Sequence, residues 1–223
     1  MKKAKRCYWC GKPASSKDHV PPKGLFLENK RENLKTVPAC EKHNEEHTKL
    51  EEAMRARLIM MSDSKIALEA YGEATERSLN DEKSMGLAHR LFSGMDSKTL
   101  AVGLGPTLKL PPEDYSLYFE KIARGVYYLV NKTCFDGDCF VAFRQSFLAH
   151  KGFAEIFHRL EPHFANPELA KPGKVSHTDI FQYKYISYIT PLLFAVEMLF
   201  YESVQVIAIL SGPGVFGGGA VST

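Results

Sequence analysis

Cys7-Tyr8-Trp9-Cys10 and Cys40-Glu41-Lys42-His43 are the two stretches that decide the reading of this chain. Each sets two soft or borderline ligands three residues apart, so one tight turn can present both to the same ion. Twenty-nine residues separate the pairs. Together Cys7, Cys10, Cys40 and His43 complete a tetrahedral set and predict a closed structural Zn2+ site. Residues 1–44 are rich in Lys, Pro and Asn, with apolar pieces only at Val20, Leu25, Phe26, Leu34 and Val37. That is too little apolar matter for an independent core, and a metal is the usual staple for so small a unit. Reading Cys7 and Cys10 as simple packing residues sits badly with their Lys-rich neighbours.

The start of the chain is basic. Lys2, Lys3, Lys5, Arg6, Lys12, Lys17 and Lys23 precede Glu28, with Asp18 the only acid among them. Such a segment suits a phosphate-bearing partner or a solvated charged end. The net charge of +3 over 223 residues is too small to announce nucleic acid by itself. Apolar residues make up 44% and charged residues 25%, ordinary values for a globular protein. The basic start runs into Cys7 rather than an apolar stretch, and charged or polar residues interrupt Pro191–Leu210, so neither a signal peptide nor a membrane span is expected. Five cysteines with one tight pair point to metal ligation in a reducing compartment, hence a cytoplasmic protein with no membrane partner.

From Asn44 to Tyr71 the pattern is helical, with Leu50, Met54, Leu58 and Met61 on one face. A second helix is expected over Asp81–Met95, and Gly103, Gly105, Pro106, Pro111 and Pro112 mark a break. Pro112-Glu113-Asp114 opens another helix whose apolar face is Tyr118, Ile122, Val126 and Leu129. A strand is expected from Cys134 to Phe143, a helix over Phe147–His163 and a loop over Asn166–Ser176. Phe181, Tyr183 and Tyr185 alternate with polar residues as a half-buried strand. Two antiparallel strands near Leu192–Tyr201 and Val204–Leu210, joined at Glu202-Ser203, close the sheet, although Leu192, Leu193, Val196, Leu199 and Phe200 also fit helical spacing. The fold class is therefore α+β, divided into residues 1–70, a helical connection 71–105, an α+β domain 106–211 and a Gly-rich tail 212–223. Cys134 and Cys139 lack a second pair and read as packing residues. His89, His150, His158, His163 and His177 show no ligand spacing.

Between the chelating pairs lie Asp18-His19-Val20-Pro21-Pro22 and Glu32-Asn33-Leu34-Lys35-Thr36-Val37-Pro38-Ala39. With the flanking ligands and Asn44, this arrangement resembles the zinc-containing HNH endonucleases. It looks especially like a subgroup with Asp-His-Val-Pro-Pro and Val-Pro-Ala-Cys motifs. Arg124-Gly125-Val126-Tyr127-Tyr128 and the Phe181–Tyr201 region are similar to that subgroup's later half. The resemblance implies a treble-clef, ββα-metal module at the N-terminus that hydrolyses phosphodiester bonds in nucleic acid, DNA above all. It implies His19 as general base and Asp18 as ligand of a catalytic Mg2+ or Mn2+ ion. Asn33 would hold the loop, and Asn44 would stand where a metal-binding His is usual. His43 takes the place of the family's fourth Cys. His47, one turn onward, could assist the catalytic ion, compete with His43 for zinc or be an ordinary exposed helical residue. The rival expectation is a catalytically silent zinc module that binds nucleic acid or protein. The C-terminal domain is a candidate for substrate recognition or for assembly into an oligomer.

Overall fold

The computed structural model describes residues 5–80, 112–144, 151–188 and 193–213. The first sheet is a hairpin of β1 (Ser16–His19) and β2 (Thr36–Ala39), antiparallel, with Asp18 opposite Val37 and His19 opposite Thr36. Two short 3-10 turns, Lys23–Leu25 and Glu28–Lys30, lie in the connection, which begins with a cis peptide at Val20-Pro21.

The single helix expected over 44–71 is divided into α1 (Glu41–Glu45), α2 (Thr48–Met60) and α3 (Lys65–Asn80). His47, with φ −107° and ψ 7°, interrupts the first junction. At the second, Ser62 Oγ donates to the Leu58 carbonyl at 2.7 Å, and Ser64 Oγ accepts the Ala67 N–H at 3.2 Å. Serine hydroxyls compete for backbone groups in this way, ending one helix and capping the next. The apolar periodicity continued across both breaks, so it did not reveal them.

The predicted helix 81–95, the break at 103–111, residues 147–150 of the predicted helix before the sheet's later strands, and the tail from 214 lie outside the described residues. The chain resumes with α4 (Pro112–Asn131), β3 (Asp138–Phe143), α5 (Lys151–Ala165), β4 (Lys171–Pro172), β5 (Phe181–Tyr188), β6 (Leu193–Phe200) and β7 (Val204–Ser211). The expected antiparallel sheet is present, with strand order β3-β7-β6-β5-β4. Its edge strand β4 comes from the stretch read as loop and pairs Lys171 with Tyr185 and Pro172 with Lys184. An edge position suits Pro172, which has no N–H to offer.

The segment that also fitted helical spacing forms β6 and β7. Their turn is centred one residue earlier than expected, at Tyr201 and Glu202, both with positive φ (48° and 59°). The Ser203 N–H closes it on the Phe200 carbonyl at 3.0 Å. Two left-handed central residues twist the ribbon in the sense the strands require, usually with Asn-Gly. A tyrosine is an uncommon occupant, and its burial helps to explain it: the Tyr201 ring is buried and its hydroxyl donates to the Leu25 carbonyl at 2.6 Å.

Alternation along the strands gives the sheet two apolar faces. Phe143, Val206, Met198 and Tyr183 stand in register on one face, with Val204, Ala208 and Leu210 along β7. This face packs against α4, whose Phe119 ring meets Phe143 at 5.1 Å and Phe200 at 5.4 Å. Ile122 and Val126 are buried in the same cluster, with Leu129 at its margin. The other face, with Ala142, Ile207, Ala195 and Ile186, packs against Phe157 and Phe164 of α5. The cluster around α4 also takes in Cys7, Tyr8, Val20, Leu25, Phe26 and Val37. The few apolar residues of the N-terminal stretch thus bury themselves against a spine supplied by the later chain. No helix among the described residues is long and apolar enough to cross a membrane.

Gly125 marks the closest approach of α4 to the hairpin. A Cβ built there would lie 2.5 Å and 2.9 Å from the two Val20 methyl carbons. Alanine favours a helix over glycine by about 1 kcal/mol, but overpacking costs about 1–3 kcal/mol. Gly125→Ala is therefore expected to destabilise by about 1–2 kcal/mol in urea unfolding. Val20→Ala should remove that penalty in the double variant, and additive costs would contradict the contact.

Candidate metal centre and the hairpin beside it

The first two ligands sit on a knuckle. Its rim is a bridge between Arg6 and Pro13, and the Cys7 N–H donates to the Lys12 carbonyl at 2.7 Å. Gly11, at φ +68°, turns the chain so that its N–H reaches the Cys7 carbonyl at 3.0 Å. A side chain is disfavoured in that left-handed turn. The knuckle is stitched to β2 by the Tyr8 N–H on the Pro38 carbonyl, 2.8 Å. The second pair sits at the start of α1, with Cys40 at its N-cap and His43 one turn on.

Cys7, Cys10, Cys40 and His43 offer ligand atoms that all lie within 4.8 Å of one another. His43 Nδ1 is 3.3 Å from Cys40 Sγ and 3.7 Å from Cys7 Sγ, and the Cys10 and Cys40 sulfurs are 3.9 Å apart. Tetrahedral zinc bonds of ordinary length put ligand atoms roughly 3.4–3.8 Å apart. The four residues therefore fit one zinc ion, as the spacing predicted. Partial burial holds the His43 imidazole below its usual pKa, favouring the neutral ring that a metal requires. The Trp9 ring stacks on His43 with centroids 5.5 Å apart, and the Arg124 guanidinium lies 5.1 Å from the Trp9 centroid. Arg124 in turn donates to the carbonyls of Phe135 at 2.9 Å and Gly137 at 2.8 Å. The centre is thus joined to the chain beyond α4.

The hairpin between the ligand pairs carries Asp18 and His19 on opposite faces, as a regular strand dictates. Asp18 faces inward and is buried. Its Oδ2 accepts from the Tyr8 hydroxyl at 3.0 Å and from Lys121 Nζ at 3.0 Å. Lys121, from α4, also pairs with Glu51 of α2. Burial raises the Glu51 carboxyl above its usual pKa, although Lys121 opposes the rise. Burial, reinforced by the negative Asp18, drives the Tyr8 phenol well upward, so it remains a proton donor. These groups hold a cation already: the lysine's own.

His19 is part-exposed at the end of β1, and no side-chain hydrogen bond engages it among the described residues. Burial lowers its pKa, with Asp18 opposing and Lys23 adding to the fall. That shift favours the neutral ring, the form able to accept a proton. Asn33 lies in the loop before β2 with φ 56°, and its carbonyl accepts from Ser176 Oγ at 2.9 Å. Asn44 lies within α1, its N–H on the Cys40 carbonyl at 3.1 Å. His47 is buried rather than exposed, in the break between α1 and α2, tilted against Trp9 at 6.0 Å and outside the four-ligand cluster. Among the described residues the zinc-type cluster is the one group of three or more His, Cys, Asp or Glu arranged to hold a metal, and Asp18 does not belong to it.

Lys121, Glu51 and Tyr8 escaped the sequence reading. The signal was present, since Lys121 adjoins Ile122 and stands three residues from Tyr118 on the apolar face of α4. A lysine there demands a buried counter-charge. Compared with family models, curated proteins and solved structures, the chain matches none.

Proposed function

We propose that this chain is a zinc-stapled HNH-type endonuclease that hydrolyses phosphodiester bonds in nucleic acid, DNA in the first place. The observation that supports this is the order of parts: knuckle ligands, a hairpin whose first strand ends in His19, then ligands in the first turn of a helix. That order is the one a treble-clef, ββα-metal module would have. Zinc on Cys7, Cys10, Cys40 and His43 would fix the two ends of the hairpin. His19, part-exposed, would take a proton from the attacking water as a neutral imidazole. A hard divalent ion would polarise a phosphate if bound, but the residues around Asp18 do not fit one as arranged, because Lys121 occupies the carboxylate. The hydrolytic role therefore rests on His19.

His19→Ala is expected to reduce cleavage of plasmid DNA in Mg2+ or Mn2+ by roughly 10²–10⁴-fold, the usual contribution of a general base. Zinc content and thermal unfolding should stay at parent values. Equal cleavage by parent and variant under single-turnover conditions would sink the assignment. The commitment of Asp18 to Lys121 favours a second reading, a zinc module that binds without cutting. A parent protein that binds nucleic acid yet leaves it intact would select it.

A further inference from the structure

Beside the His19 end of the hairpin lies an open groove of about 400 Å³, built from parts far apart in sequence. Lys35 enters from the start of the hairpin's second strand, Lys132 from the end of α4 and Lys174 from the turn between β4 and β5. Tyr185 of β5, part-exposed, and the edge of the buried Tyr183 line the same groove. All three lysines are exposed, and no carboxylate contributes to the lining among the described residues. The walls are fixed together. Ser176 Oγ donates to the Asn33 carbonyl, and Lys30 pairs with Asp179, so the β4–β5 turn is tied to the loop before β2. Gly173 lets that turn close on the sheet: its N–H reaches the Tyr183 carbonyl at 2.8 Å, and a Cβ would lie 2.0 Å from the Tyr183 ring. Lys35 also ties the groove to the end of the hairpin that carries His19. The Val20 N–H donates to the Lys35 carbonyl at 3.0 Å, one step along the ladder from His19 and Thr36.

Three ammonium groups around one concave surface that no carboxylate lines among the described residues attract a polyanion, and the part-exposed Tyr185 ring adds a surface on which a base can lie. We propose that this groove binds the phosphodiester backbone of a nucleic-acid strand and leads it past His19. The proposal rests on the reading of the chain as one that acts on nucleic acid. It goes beyond that reading by giving the C-terminal sheet and the end of α4 a share in holding the strand.

The test is fluorescence anisotropy of a labelled oligonucleotide, single-stranded and as duplex, without added divalent ion so that cleavage does not intrude. Parent affinity should fall steeply between about 50 and 200 mM salt. Lys132→Gln with Lys174→Gln should weaken binding at least roughly tenfold at about 50 mM salt, and flatten the slope of log affinity against log salt by roughly 1.4–1.8. Both lysines are exposed, so zinc content and the thermal midpoint should not change. A control with Lys49→Gln and Lys65→Gln, exposed on α2 and α3, removes the same charge elsewhere and should keep parent affinity and slope. Parent-like binding by the groove variant, an equal loss in the control, or no affinity of the parent at low salt would each overturn the proposal. A parent that loses binding with the groove lysines, yet cleaves neither probe when Mg2+ is supplied, keeps the groove and removes the hydrolytic reading instead.

Discussion

Cys40→Ser should cost the protein its zinc and several kcal/mol of stability, with effects reaching well past the first 44 residues. Elemental analysis of the parent is expected to find one zinc per chain. Structural zinc contributes on the order of 10–16 kcal/mol in isolated finger peptides, and that binding energy is folding energy. Here the ligands also hold other contacts in place. Releasing the knuckle removes Tyr8 from Asp18 and Trp9 from Arg124, and it uncovers the side of α4 against which Val20 packs. Hydrogen exchange should therefore show lost protection in residues 5–44 and, in addition, in α4 around Lys121–Gly125. Unchanged zinc stoichiometry in the variant would contradict the ligand set. Protection lost in residues 5–44 alone would show that the shared cluster does not couple the two parts.

Lys121→Met is expected to be nearly as damaging, although it touches neither the zinc ligands nor His19. The side chain is 3% exposed and neutralises Asp18 and Glu51, whose side chains are 8% and 21% exposed. Removing one member of a buried ionic group costs about 3–5 kcal/mol, because the partners keep their desolvation penalty without its compensation. The loss should depend on pH. Glu51 already sits above its usual pKa through burial, and without the lysine it rises further. A carboxyl with a raised folded-state pKa makes the folded state bind more protons. Stability then falls as pH rises through the window from the unfolded carboxylate value up to that raised value. The variant's deficit should accordingly be largest at neutral pH and shrink in mild acid. The same variant probes the divalent ion. If Asp18 is a ligand once the ammonium is gone, Mn2+ should raise the thermal midpoint of Lys121→Met, and not that of Lys121→Met combined with Asp18→Asn. No Mn2+ effect in either protein would remove Asp18 from consideration as a metal residue.

The zinc-type cluster was legible in the sequence because ligand chemistry and spacing are local, and two short turns carry nearly the whole geometry. The antiparallel sheet was legible for a related reason: alternation at Phe181, Tyr183 and Tyr185 and a short connection after Phe200 restrict the pairing. What could not be read was the partner of each local piece. Asp18 looked available because its neighbours in sequence gave it none, while Lys121 lies 103 residues away. His47 looked helical because periodicity cannot register a break as short as Glu46-His47. The turn was placed one position late because the tyrosine at its centre is an unusual choice, made comprehensible only by the Leu25 carbonyl that it reaches.

That tyrosine has a bearing on how the chain is made. Chains emerge from synthesis N-terminus first, at about 5–20 residues per second, and early segments fold while later ones are still absent. All four zinc ligands are in hand by His43, but Lys121 and Arg124 come much later, and the hydroxyl that pairs with Leu25 arrives 176 residues after it. During that interval the nascent hairpin has no sheet to lean on and no ammonium for Asp18. A metal ion captured by the four ligands would be a strong interaction already open to it, and would give zinc the part of a placeholder until the rest of the chain arrives.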